Sequence, residues 1–287
     1  MTWFILAIVG AFFNASYYAL IKKNLQDINQ YVLSAGVFLI SFIFLSIVSI
    51  LKGLPKIDPA FYPSVFITGI LNFIAVILYF KALKITDLSI AIPMISFTPA
   101  FLILTSFLLL KEFPTIPGLG GIFLIVIGSY ILNTTKNTTK LLNPVKSIVT
   151  IQGTLYMLIV AFLFSISANY GKLVVQNSDP IFGSAVIFLL LGISFLIISL
   201  AKARSELINS RKYLSKFLLT GIIHSFSTVA INTAFTMQIV PYVISLKRLS
   251  ILFSVFYGGI LFKEKNILRR SIGAATMLAG AILIILF

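Results

Sequence analysis

The chain has no cysteine and a single histidine, His224. Without thiols there is no disulfide framework, no thiolate nucleophile and no cysteine-ligated metal. One histidine excludes a multi-histidine centre within the chain. Acid is almost as scarce. The seven carboxylates (Asp27, Asp58, Asp87, Glu112, Asp179, Glu206 and Glu264) all lie in or near polar connections. No G-x-S-x-G, H-E-x-x-H or G-x-x-x-x-G-K-[ST] pattern occurs, which argues against a serine hydrolase, a zinc protease and a P-loop ATPase. The expectation is a protein that is not an enzyme and uses no metal or cofactor.

What is present is apolar. Of 287 residues, 59% are hydrophobic and 10% charged, with a mean hydropathy of +1.09. A soluble domain carries about a quarter charged residues. The formal charge of +15 would suggest nucleic acid in a soluble chain. In a polytopic membrane protein, short cationic connections instead set orientation and meet anionic lipid headgroups. No nucleic-acid partner is expected. The first cation, Lys22, follows the first apolar run rather than preceding it. That is the reverse of a cleavable signal peptide, so a retained first helix is expected, in a multi-pass protein of the plasma membrane.

Apolar runs predict ten spans: Trp3–Ile21, Tyr31–Leu51, Pro63–Phe80, Leu88–Leu110, Ile116–Leu132, Ile151–Tyr170, Ile181–Ala201, Phe217–Met237, Pro241–Phe262 and Ser271–Phe287. Each is near the roughly 20 residues that cross a bilayer as a helix. Lipid offers no partner to a free backbone N–H or C=O, so the spans must be helical.

The chain also repeats itself. Lys111-Glu112 follows span four and Lys263-Glu264 follows span nine, 152 residues later. The same offset pairs Gly69 with Gly221, Ala82 with Ala234, Gly121 with Gly273 and Gly128 with Gly280. Nearer the start, Ala11-Phe12 and Lys22 match Ala161-Phe162 and Lys172 at an offset of 150. We read residues 1–134 as one five-helix repeat, 135–150 as a linker and 151–287 as a second repeat. A unit with an odd number of spans enters the membrane from the other side when duplicated. The fold class expected is therefore an all-α membrane protein of ten helices, arranged as two inverted repeats around a central cavity. Secondary transporters with inverted repeats bind substrate near the midplane, where the repeats meet.

The run Tyr79–Glu112 followed by Gly118–Leu132 resembles the EamA family of the drug/metabolite transporter superfamily. The likeness rests on Ala82-Leu83, Pro99 in mid-span, Glu112 closing span four, and Gly121 and Gly128. The second half carries Ala234, Lys263-Glu264, Gly273 and Gly280, with Ile251 opposite Pro99. The resemblance implies a cavity walled chiefly by spans 1, 3, 4, 6, 8 and 9. It also implies export of small metabolites, amino acids among them.

Polar stripes fall on those helices. Asn14, Tyr17 and Tyr18 share a face of span one. Span three carries Asn72 and Tyr79; span six Ser165, Asn169 and Lys172; span eight His224, Thr228 and Asn232. Each stripe is a candidate substrate contact, with interhelical hydrogen bonding as the plainer alternative. For His224, a neutral hydrogen-bonded imidazole is preferred to a proton relay, because no carboxylate lies in mid-span. Pro93 and Pro99 in span four are expected to kink the helix and serve gating.

The sharpest feature is in span nine, where Lys247 and Arg248 are adjacent. A cation near the centre of a span costs roughly 3 kcal/mol even on the lenient scale. The repeat aligns Arg248 with polar Ser96 and Lys247 with apolar Ile95. Arg248 is thus the expected anion contact, its guanidinium suited to a bidentate carboxylate or phosphate. Lys247 is a second candidate that could instead snorkel to the interface. The expected activity is secondary active export of a small carboxylate- or phosphate-bearing metabolite, such as an amino acid, by alternating access between the repeats. A non-transporting scaffold or lipid-interacting protein, and a drug exporter, are the alternatives. Membrane lipids are expected partners; a coupling ion and a homodimer stay open.

Orientation follows from charge. Connections 1–2, 3–4, 5–6, 7–8 and 9–10 hold 16 Lys/Arg, against 4 on the other side. The positive-inside rule puts the first set in the cytoplasm and both termini outside, whereas the family resemblance implies termini inside. A topology reporter fused after Phe287 is expected to read outside; a cytoplasmic signal would defeat the charge count.

Overall fold

A computed structural model describes residues 2–86, 94–133, 152–254 and 267–286. The described residues are helical and contain no strand. The principal helices are α1 (Thr2–Asn24), α2 (Gln30–Lys52), α3 (Phe61–Ile85), α4 (Thr98–Leu110), α5 (Ile116–Asn133), α6 (Gln152–Gln176), α7 (Pro180–Lys202), α8 (Leu214–Phe235), α9 (Val240–Lys247) and α10 (Ile267–Leu286). A short helix, Arg204–Ile208, and a 3-10 turn, Asn209–Tyr213, join α7 to α8. Six of the described helices are long and apolar enough to cross a membrane, and Thr98–Leu110, Ile116–Leu132 and Ile272–Leu286 are shorter apolar helices. Residues 87–93 and 255–266, which the ten-span reading assigns to spans four and nine and their flanks, lie outside the described residues.

Local chemistry sets the helix starts. Asn29 caps α2 by accepting from Tyr31 N at 3.0 Å. Asp179 caps α7 by accepting from Ile181 N and Phe182 N at 2.7 Å, with Pro180 in the first turn where its missing donor costs nothing. Along α2, Ile43, Ile47 and Ile50 are at least half exposed, whereas Ser41 and Ser49 are buried. Apolar side chains outside and hydroxyls inside suit a helix facing lipid. The Ser41 hydroxyl donates to Gly221 O at 2.9 Å, and Ser227 donates to Gly10 O at 2.8 Å.

Contacts divide the chain into two compact units that differ from the sequence halves. The first combines Met1–Phe73 with Tyr170–Met237, and the second Ile74–Asn169 with Gln238–Phe287. Each unit therefore contains helices from both halves, and α3 and α6 give one end to each.

In the first unit, α2 packs on α7, and α1 and α2 pack on α8. Lys52 at the end of α2 reaches Asp179 at the start of α7, 3.4 Å away. At the opposite ends, Lys202 lies 6.0 Å from the ring centre of Tyr31. The two helices run antiparallel. With an offset of 150, Lys202 is the counterpart of Lys52, so each helix ends in a lysine that reaches the start of the other.

The second unit repeats this logic, with α5 on α10 and α4 on α9. A Cβ added at Gly121 would lie 2.7 Å from Gly280 O, and one at Gly128 would lie 2.6 Å from Gly273 O. Gly121 is the counterpart of Gly273, and Gly128 of Gly280, so this contact is also reciprocal. Such exchange is the mark of a two-fold relation. The antiparallel run of counterpart helices fits inversion of the repeat. The glycines thus pack one half against the other. Gly128→Ala should force the two backbones apart and cost about 1–3 kcal/mol, measured as a lower unfolding midpoint in detergent.

Candidate functional site

The cation pair sits where α9 loses its regularity. Arg248 N donates to Ile244 O at 3.2 Å and to Ser245 O at 3.1 Å, while Leu249 N, Ile251 N and Leu252 N reach back only three residues. The helix tightens at Arg248-Leu249 and resumes through Ser254. The matched place in the first half behaves alike. Phe97 N donates to Met94 O at 3.1 Å, and a turn at Ser96-Phe97 precedes α4. Ser96 and Arg248 are counterparts at the offset of 152. Transporter sites commonly form at such discontinuous helices in matched positions.

Pro99 contributes to the first break. It has no N–H to give Ile95 O, and the Thr98 hydroxyl donates to that carbonyl instead, at 2.7 Å. Proline is not required for the second break, because Ile251 stands in its place and donates to Arg248 O at 3.0 Å. Pro93 lies outside the described residues. Ser96 is fully buried, its Oγ 2.5 Å from Ser129 Oγ on α5. Lys247 and Arg248 are half-buried. Arg248 Nε is buried and makes no hydrogen bond, although the side chain is engaged elsewhere.

The helix carrying these cations is held at its start by Glu112. Lys111 adopts a left-handed conformation, φ 58°, which closes α4 through Lys111 N to Phe107 O and Glu112 N to Ser106 O. That turn delivers the Glu112 carboxylate to Val240 N at 2.9 Å, at the first residue of α9. A carboxylate at a helix N-terminus satisfies a free donor and complements the helix dipole. Beside it the Tyr242 hydroxyl accepts from Thr115 N at 2.9 Å. A Cβ at Gly118 would collide with that hydroxyl.

The second unit also holds Tyr79, packed half-buried against a cluster containing Ala82, Met157 and Val160, and Asn169. Asn169 is completely buried and donates to Thr105 Oγ1 at 3.1 Å and Ser165 O at 3.0 Å, while its Oδ1 accepts from Ser106 at 2.6 Å. Its polar atoms are thus committed to α4 and to its own helix.

The other candidates belong to the first unit. The His224 ring stacks on Tyr17, centroids 4.2 Å apart, and lies 4.8 Å from Phe188 and 5.7 Å from Phe38. Its Nδ1 is buried without a hydrogen bond. Asn14 is buried, but Tyr18 is 43% exposed, so the span-one stripe does not present all three side chains to one packed face. Asn72 donates to Thr68 O of its own helix at 3.0 Å, and Asn232 to Ser184 Oγ on α7 at 2.8 Å. Lys172 is buried within α6, and not in a connection as the charge count took it.

The EamA-like transporter family matches residues 1–134 and 151–286. The chain belongs to that family. It is thereby a member of the drug/metabolite transporter superfamily and an integral membrane protein. A solved crystal structure matches this EamA chain with a TM-score of 0.80 at 16% identity, covering 100% of this chain and 99% of the other. That likeness carries the fold alone. Among curated proteins, none matches.

Sequence reasoning missed Ser129, the role of Thr98, and Glu112 as the cap of α9. The Thr-Pro pair was a usable signal for the second, since a hydroxyl next to proline can replace the lost donor. Glu112→Ala should remove the cap and cost about 1 kcal/mol, whereas Glu112→Gln, which keeps an acceptor oxygen, should cost less. Thermal unfolding of the two purified variants in detergent measures the difference.

Proposed function

We propose that this EamA-family protein is a secondary active transporter that exports a small metabolite bearing a carboxylate or phosphate. The observation that carries the reading is the matched pair of helix breaks, one placing Ser96 and the other Arg248 at the same repeat position. A guanidinium at a break offers a bidentate, permanently charged contact for an anion. An exporter of cationic drugs would want an acid in that setting, and all seven acidic residues lie in or near connections.

The alternating access we propose works between inverted repeats whose counterpart helices touch in this structure. Rocking one sequence half against the other would part α2 from α7, α4 from α9 and α5 from α10, each a counterpart pair in contact. The alternation we propose leaves these pairs intact. Lys247, next to Arg248 but about 100° around the helix, serves orientation in this reading.

The scaffold reading draws on Asn169 and Asn232, whose amides bond to neighbouring helices. It is disfavoured because packing alone does not explain two adjacent cations inside an apolar segment. Purified protein in liposomes, assayed with a panel of amino acids, carboxylates and phosphate esters, tests both. Arg248→Gln should lower flux at least about tenfold, the cost of roughly one lost charged hydrogen bond, with the helical content unchanged. Wild-type flux from that variant would reduce the pair to membrane anchoring, and no flux of any anionic or zwitterionic metabolite would sink the transport reading.

A further inference from the structure

Away from the broken helices, cationic segments of the first unit converge. The last turn of α1 brings Lys22 and Lys23, both exposed, and the segment from Lys202 to Lys216 brings five more cations. They are tied together. Lys216 Nζ bonds to the Asp27 carboxylate, and the Tyr213 hydroxyl donates to Asp27 O at 3.0 Å. The hydrogen bond and charge of Lys216 hold the Asp27 carboxyl below the usual carboxylate range, so it stays ionised and occupied by Lys216. Among the described residues of the α1–α2 and α7–α8 connections, Glu206 is the one further acid.

The segment between α7 and α8 is two-sided. Inward, Ala203, Leu207 and Tyr213 pack against the cluster of Ile28, Leu33 and Phe217. Outward, Arg204, Arg211 and Lys212 are exposed. Between those cations Ile208 is 71% exposed, and Leu214 beyond them is 49% exposed. Both ends of the segment continue directly into helices long and apolar enough to cross a membrane. The segment therefore lies at the level of lipid headgroups. Cations flanking an isolated exposed apolar side chain match that layer, with phosphates above and acyl chains below. A cluster of four to eight basic residues beside a span attracts anionic lipid at about this depth.

We propose that this end of the first unit is a docking platform for anionic phospholipid headgroups. Ile208 and Leu214 enter the acyl boundary, and Arg204, Arg211 and Lys212 engage the lipid phosphates. The apolar pair commits the site to lipid rather than to a free phosphate ester. The proposal does not depend on what the protein transports.

The test uses the full-length protein in nanodiscs of phosphatidylcholine and phosphatidylglycerol in equal amounts. After mild detergent extraction, retained lipid is counted by native mass spectrometry. Wild type should retain phosphatidylglycerol in clear excess, and Arg204→Gln/Arg211→Gln/Lys212→Gln should lower that excess by at least about tenfold, each near-surface cation contributing severalfold. The charge-keeping variant Arg204→Lys/Arg211→Lys/Lys212→Arg should retain it, which separates charge from packing. Ile208→Ser/Leu214→Ser should lower retention of both lipids. If the triple glutamine variant fails to fold, the three single variants are measured, and a stepwise fall is expected. Equal retention of the two lipids by wild type, or an undiminished excess in the glutamine variants, overturns the proposal. So does competition by soluble glycerol phosphate, which would assign the cations to a free anion.

Discussion

Lipid withholds the force that folds soluble proteins. Helices already surrounded by hydrocarbon gain nothing from hiding apolar side chains, and cohesion must come from close approach and hydrogen bonds. Both units obey that constraint. In the second, α5 and α10 meet backbone to backbone at four glycines. In the first, serine hydroxyls cross from α2 and α8 to carbonyls on neighbouring helices. The same constraint explains why counterpart helices pair. A surface smooth enough to approach one copy of itself can do so in both directions, so one duplicated glycine motif supplies both sides of an antiparallel contact.

Irregular backbone is the other consequence. A freed N–H or C=O is tolerated at membrane depth only where protein or a water-filled space satisfies it. At the break before α4, the Thr98 hydroxyl covers Ile95 O, and Ser96 is held by Ser129. At the break in α9, three-residue hydrogen bonds take up the slack. The start of α9 is fixed by Glu112, which reaches it only because Lys111 turns left-handed. The start of the helix that carries Arg248 thus traces back to a carboxylate 128 residues upstream, just past the end of α4.

Much of the fold was legible. Runs of apolar residues located the helices because their length and hydropathy are local properties. The offset of 152 anticipated a two-repeat chain, and it aligned Arg248 with Ser96 before either break was visible. What could not be read was pairing. Nothing in the sequence says that Gly121 meets Gly280 rather than another glycine, or that Asn169 spends its amide on Thr105. Tyr18 was placed with Asn14 and Tyr17 by helical spacing, yet it is exposed, because one hundred degrees of arc on a helix can straddle the edge of a packed face. In the sequence Glu112 is an acid beside a lysine at the end of span four. Its role as a cap for a helix 128 residues downstream depends on tertiary proximity alone.

The two breaks also show how symmetry and specificity coexist. Backbone geometry repeats, with a tightened turn at Ser96-Phe97 and another at Arg248-Leu249, but the side chains do not. A neutral hydroxyl occupies one position and a permanent cation the other. Two guanidiniums at matched positions would repel each other and double the desolvation cost. Two hydroxyls would bind an anion weakly. One of each keeps the repeated backbone break and confines the guanidinium to one of the two repeat positions.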